Sequence, residues 1–174
     1  TALTLALKSR IASEPSNGLA LGRLVLTGFR SYDALRLAPG AGPLVFTGPN
    51  GAGKTNLLEA VSYLSPGRGL RGARLADVLH TNRPAGAERA WSVAATVHTP
   101  RGAVELASGY RAGDTGALSD TPGSSAAGAR ERRIIRIDGE TASGQAALAE
   151  HVAIVWLTPA MDRILVEGSV GRRH

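Results

Sequence analysis

Three features of the sequence predict an α/β fold built on a phosphate-binding loop, with an antiparallel β subdomain beside it. The run Gly48-Pro49-Asn50-Gly51-Ala52-Gly53-Lys54-Thr55 fits the pattern G-x-x-x-x-G-K-[ST] at every position. Its flanks supply the required context, a short apolar run before it and a helix-periodic run after it. Farther along, the apolar residues change from helical spacing to alternation, the spacing of strands with one buried face. A chain of 174 residues suits one domain and can bury a sizeable core.

The elements follow in order. Residues 1–18 hold a short apolar patch, Leu3 to Leu7, followed by Lys8 and Arg10. A secretory signal places its charge before the apolar region, so this order predicts a flexible extension. Residues 19–28 (LALGRLVLTG) read as a strand and residues 32–37 as its returning partner. After the turn cluster PGAGP at 39–43, residues 43–47 (PLVFT) form a wholly apolar run, as expected of a buried central strand. From Lys54 the pattern turns helical, with Leu57, Leu58, Val61 and Leu64 on one face, until Ser65-Pro66-Gly67 stops it. A further helical turn or two covers residues 75–79.

Trp91, Val93, Ala95 and Val97 alternate with smaller or polar residues, and Val104 and Leu106 continue the alternation past a turn at 99–102. That pattern predicts a β-hairpin. Residues 108–130, rich in Gly, Ala, Ser and Asp without periodicity, predict a flexible loop. Asp138-Gly139 is a two-residue hairpin turn between strands at 133–137 and 140–142. Residues 143–150 read as a short helix and 152–157 (VAIVWL) as a second buried strand. Thr158-Pro159 then has the form of a helix cap with proline in the first turn.

The loop's residue types have separate physical reasons. Backbone N–H groups must converge on a phosphate, so glycines stand where a Cβ would block the approach. Lys54 is placed to reach the β- and γ-phosphates, and the Thr55 hydroxyl to coordinate Mg²⁺. The helix that follows aims unpaired N–H groups and partial positive charge at the same point.

Composition narrows the rest. The chain has no cysteine, which excludes a disulfide scaffold, thiol catalysis and a cysteine-bound metal. His80, His98, His151 and His174 lack metal-ligand spacing. No run approaches the roughly 18 apolar residues of a membrane span. A net charge of +6 suits contact with nucleic acid. Yet Lys8 and Lys54 are the only lysines, and an Arg-, Ala- and Gly-rich composition also follows from coding bias. One of two lysines standing where the loop demands it points to nucleotide binding. Arg68, Arg71 and Arg74 fit either DNA contact or a solvated surface.

The segments LVLTGFRSY (24–32), TGPNGAGKTNLLEA (47–60) and SPGRGLR (65–71) resemble the start of the RecF family, bacterial recombination and replication-repair ATPases related to the SMC and ABC ATPases. RIDG (136–139), WLTP (156–159) and EGSVGRR (167–173) occur in the same order as in that family. The resemblance runs from about Gly22 onward and implies an ABC/SMC-type head over residues 19–174. It further implies ATP and Mg²⁺ as ligands, DNA as partner, an ATP-dependent homodimer, recombination-mediator proteins as associates, a place in the SOS response and a cytoplasmic setting. The Phe29–Tyr32 neighbourhood would lie near the nucleotide base; the alternative for Phe29 and Tyr32 is a core-filling pair at a strand end.

Two departures qualify the expectation. Ala160 stands where the family commonly has an acidic residue after Thr-Pro, with Asp162 as a possible substitute. The ABC signature and Walker B segments that follow in the family are missing, so the chain reads as a truncated head. Its decoys, IIRID (134–138) and ILVE (164–167), read as structural. No catalytic residue is therefore assigned, and ATP binding without turnover is the expectation. A transporter-type ATP-binding subunit and a non-catalytic DNA- or partner-docking module remain the alternatives.

Overall fold

The computed structural model describes residues 18–82, 84, 86–114, 131–158 and 161. Its frame is a six-stranded sheet in the order β2-β1-β3-β4-β5-β6, antiparallel throughout. The strands are β1 (Ala20–Phe29), β2 (Tyr32–Leu37), β3 (Ala90–Thr99), β4 (Gly102–Arg111), β5 (Ile134–Ile137) and β6 (Glu140–Thr141). Helix α1 (Lys54–Ser62) follows the glycine loop, and 3₁₀ turns occupy Leu75–Val78 and Gln145–Glu150.

The alternating sequence sets which face is buried. Trp91, Val93, Ala95 and Val97 on β3, with Val104, Leu106 and Tyr110 on β4, point to one side and join Leu24, Leu26 and Ile135. Leu57, Ala60, Tyr63 and Leu64 of the helical segment belong to the same core. At its centre three aromatic rings meet: Phe29 lies 5.8 Å from Tyr63 and 5.5 Å from Trp91, edge-on to both, and Tyr63 lies 4.9 Å from Trp91. Such arrangements set the positive rim of one ring against the negative face of another.

The hairpins form where the turn residues require. Asp138 and Gly139 both have positive φ, 50° and 86°, the backbone of a two-residue turn matched to strand twist. The Asp138 side chain also accepts the Glu105 N–H at 2.8 Å, so IIRID is a strand and turn here. Segment 75–80 is bound to the end of β1: Arg30 N–H donates to Val78 O and His80 N–H to Gly28 O, each at 2.8 Å. Glu131 accepts the N–H groups of Leu75 and Ala76 at 2.8 and 3.4 Å, satisfying donors at the start of that 3₁₀ turn.

Several expectations are corrected. Residues 43–47 and 152–157 carry no strand ladder, and Val45, Val155 and Leu157 are 72%, 96% and 69% exposed. An apolar run becomes a buried strand only with paired neighbours, and neither segment is paired with a described strand. Helix α1 ends at Ser62, before the predicted stop, and Leu58 is exposed while Glu59 takes a buried place. β4 continues to Arg111, so residues 108–111 are strand instead of loop. The predicted extension at 1–17, loop residues 115–130, Pro159, Ala160, Asp162 and ILVE lie outside the described residues.

Candidate phosphate-binding site

The loop from Gly48 to Thr55 closes on itself ahead of α1. Gly48, Gly51 and Gly53 have φ of 147°, 83° and 94°, backbone that side-chain-bearing residues rarely adopt. Ala52 N–H donates to Pro49 O at 3.2 Å, and Leu57 N–H to Gly53 O at 3.1 Å, the first bond of the helix. Gly53 occupies the N-cap position without a side-chain cap, so the first-turn N–H groups are not taken up by the residue that precedes them. The Lys54 ammonium arches back over the loop and donates to Gly48 O at 2.7 Å and Pro49 O at 2.8 Å. Gly48, Pro49, Asn50, Gly51 and Thr55 are exposed, Ala52 and Lys54 half-buried, and Gly53 buried.

The β1–β2 turn supports this loop from beneath. A Cβ on Gly53 would lie 2.5 Å from the Tyr32 hydroxyl and 3.0 Å from Ser31 Oγ, so glycine is needed for space as well as conformation. Asn56 donates to Ser31 Oγ at 2.9 Å, joining the same turn to the first turn of α1. The Tyr32 hydroxyl is buried, has no hydrogen-bond partner among the described residues, and is held above the usual phenol range by burial. Tyr32 thus backs the helix end of the loop, whereas Phe29 is fully buried in the aromatic cluster, its core-filling alternative.

Below the first turn of α1 lies an ion network that the motif did not reveal. Glu59 is fully buried; Arg30 meets it with two hydrogen bonds, Nε to Oε2 at 2.9 Å and Nη2 to Oε1 at 2.6 Å. Arg71 donates to Glu59 Oε2 at 2.6 Å and to Asn56 Oδ1 at 2.9 Å. A third contact ties Arg30 to Asp77 O at 2.7 Å. The hydrogen bonds to Glu59 hold the Arg30 guanidinium above its ordinary pKa, against the opposing effect of burial. Arg30 adopts φ 52°, which turns the chain from β1 into β2. The network joins residues 29 and 12 positions apart, beyond any local spacing rule. Its one sequence signal was an acid, Glu59, one turn before Tyr63 in a buried helix face.

The structure places the eight motif residues together and gives Arg71 a structural partner. Arg68 and Arg74 are exposed. Among the described residues no group of His, Cys, Asp or Glu has metal-binding geometry, and no helix is long and apolar enough to cross a membrane.

The chain is similar to known proteins over most of its length. Residues 20–109 match the family described as the RecF/RecN/SMC N terminal domain. A DNA replication and repair protein RecF from Caulobacter sp. (strain K31) is 46% identical over 155 residues, spanning 89% of this chain and 37% of that protein. The protein of the same description from Caulobacter vibrioides is 43% identical over 156 residues, 89% of this chain and 36% of its own length. The chain thus spans a little over a third of these relatives. Among solved structures, the recombination mediator protein RecF-ATP of the RecFOR pathway superposes with a TM-score of 0.60 at 22% identity, covering 90% of this chain and 37% of that one. RecF-ATPrS of the same pathway gives 0.58 at 19% identity, over 82% and 33%. With the match extending over more than half of its residues, this chain belongs to the RecF/RecN/SMC N-terminal domain family.

Proposed function

We propose that the chain is the ATP-binding lobe of a DNA replication and recombination-repair ATPase, with residues 48–55 holding the triphosphate and its Mg²⁺. The observation that carries this reading is the loop itself: positive-φ glycines, an uncapped helix N-terminus and a lysine folded back on the loop carbonyls lie together within eight residues. A phosphate fits that chemistry, because it offers acceptors to the N–H groups and charge to the lysine. In this reading the backbone of residues 48–53 cradles the phosphates, Lys54 exchanges its two carbonyl partners for β- and γ-phosphate oxygens, and Thr55 supplies a hydroxyl to Mg²⁺. Bound Mg²⁺ would neutralise charge on the phosphates.

Turnover asks for more, namely an acid free to hold the metal shell and orient water. The acid on α1, Glu59, is committed to two arginines. Glu59 is thus unavailable to the metal shell, and ATP binding is the activity assigned to this lobe; DNA contact, ATP-dependent pairing and association with recombination mediators are proposed for the protein of which it forms part. The names of its relatives and the pathway of its structural neighbours support that assignment.

Thermal unfolding tests the reading. A ligand that binds only the native state at 100 times its Kd stabilises by about 2.7 kcal/mol. Mg²⁺-ATP should therefore raise the midpoint of the wild-type chain and raise that of Lys54→Ala by clearly less. Equal shifts in both would remove the loop from the account.

A further inference from the structure

The guanidinium of Arg133, in the lead-in to β5, is half-buried and forms no ion pair with a carboxylate among the described residues. It donates to the main-chain oxygens at the far end of α1: to Tyr63 O, to Ser65 O at 3.0 Å and to Gly67 O at 2.9 Å. Its Nε donates to Ser108 Oγ on β4 at 2.6 Å, and Nη1 also reaches Gln145 Oε1 at 3.2 Å. The same group lies 5.2 Å from the centre of the Tyr63 ring. Gln145 Oε1 in turn accepts the Gly67 N–H at 3.1 Å. Burial lowers the guanidinium to about 10, with Tyr63 pulling the other way.

Carbonyls at a helix C-terminus lack intrahelical donors and carry partial negative charge, so a cation there satisfies both needs. α1 has no basic residue of its own in its last turn. Arg133 supplies that charge from about 70 residues away, and its planar fork reaches the helix end and the sheet at once.

We propose that Arg133 is a positioning residue for nucleotide binding: by fixing the C-terminal end of α1 to β4, it sets where the opposite end presents the phosphate loop. The helix is only nine residues long and rigid, so a tilt at Ser62–Gly67 displaces Gly53 and Lys54. This inference rests on the reading of residues 48–55 as a nucleotide site.

The test compares the 174-residue chain with Arg133→Ala and Arg133→Lys, using a fluorescent ATP analogue with Mg²⁺ and amide hydrogen exchange. For Arg133→Ala, exchange should quicken over residues 54–67 while the β3–β4 hairpin keeps its protection, and nucleotide affinity should fall about tenfold or more. Arg133→Lys retains charge but not the fork, so it should remain folded and lose affinity by a smaller factor. Guanidinium chloride at low, non-denaturing concentration should restore affinity to Arg133→Ala and leave the wild type unchanged. Unchanged affinity in a folded Arg133→Ala or Arg133→Lys chain overturns the inference alone. So does weakened affinity that guanidinium leaves unrestored and that tracks a uniform loss of protection across the sheet. A wild-type chain that binds no nucleotide, like Lys54→Ala, instead overturns the phosphate-loop reading and this inference with it.

Discussion

Lys54 and Glu59 stand a turn and a half apart on α1 and show two different ways in which a charge is held. Lys54 rests on loop carbonyls at a half-exposed surface, where a phosphate can replace them. Glu59 is sealed in, and each of its oxygens is committed to a guanidinium. Removing one partner of a buried pair leaves an uncompensated charge. Glu59→Ala is therefore expected to destabilise the chain by about 3 kcal/mol in urea unfolding, the low end of that class because Arg71 keeps solvent contact. A loss below half a kcal/mol would show that the arginines relax into water. Gly53→Ala combines a positive φ with a collision at the Tyr32 hydroxyl, so it should weaken Mg²⁺-ATP binding about tenfold or more, measured by titration. Gly51→Ala, with open space around it, should cost less.

At the scale of elements, what could be read from the sequence was whatever short spacing dictates. The alternation from Trp91 to Leu106 set the β3–β4 hairpin, and Asp138-Gly139 set the β5–β6 turn. The glycines and lysine of residues 48–55 placed the candidate site. What escaped depended on distant partners. Residues 43–47 are apolar enough for a central strand, but pairing is decided by neighbours, and Val45 faces solvent. Leu58 fits the helical apolar stripe, yet the buried face of α1 turns toward Glu59 because Arg30 and Arg71 meet it there. Ser108 looked like loop and is buried in β4, beside the guanidinium of Arg133. The aromatic cluster likewise joins three elements. Trp91→Ala should cost about 3–5 kcal/mol, read from denaturant midpoints, because it empties the centre of the core and strands the Leu75 carbonyl that its indole N–H satisfies at 2.8 Å.

Over the whole molecule, stability should be uneven. The sheet core is paired on every interior strand, whereas residues 43–49 and 152–158 carry apolar side chains without a ladder. Amide exchange should accordingly be slowest in β1, β3 and β4 and fast in those two segments, apart from local turns. Slow exchange across 43–49 in the isolated chain would mean that they pair in solution. The positive charge belongs to this scale as well. If the net +6 serves DNA, anisotropy of a labelled duplex should show binding that weakens steeply with salt, and insensitivity to salt would argue against phosphate contacts. Nucleotide binding remains the property on which the rest depends. The most direct test is titration of the wild-type chain and Lys54→Ala with a fluorescent ATP analogue in the presence of Mg²⁺. The account predicts saturable binding by the wild type and a loss of about tenfold or more, at least 1.4 kcal/mol, in the mutant. Equal affinity in two folded chains, or no binding by a folded wild type, would contradict it.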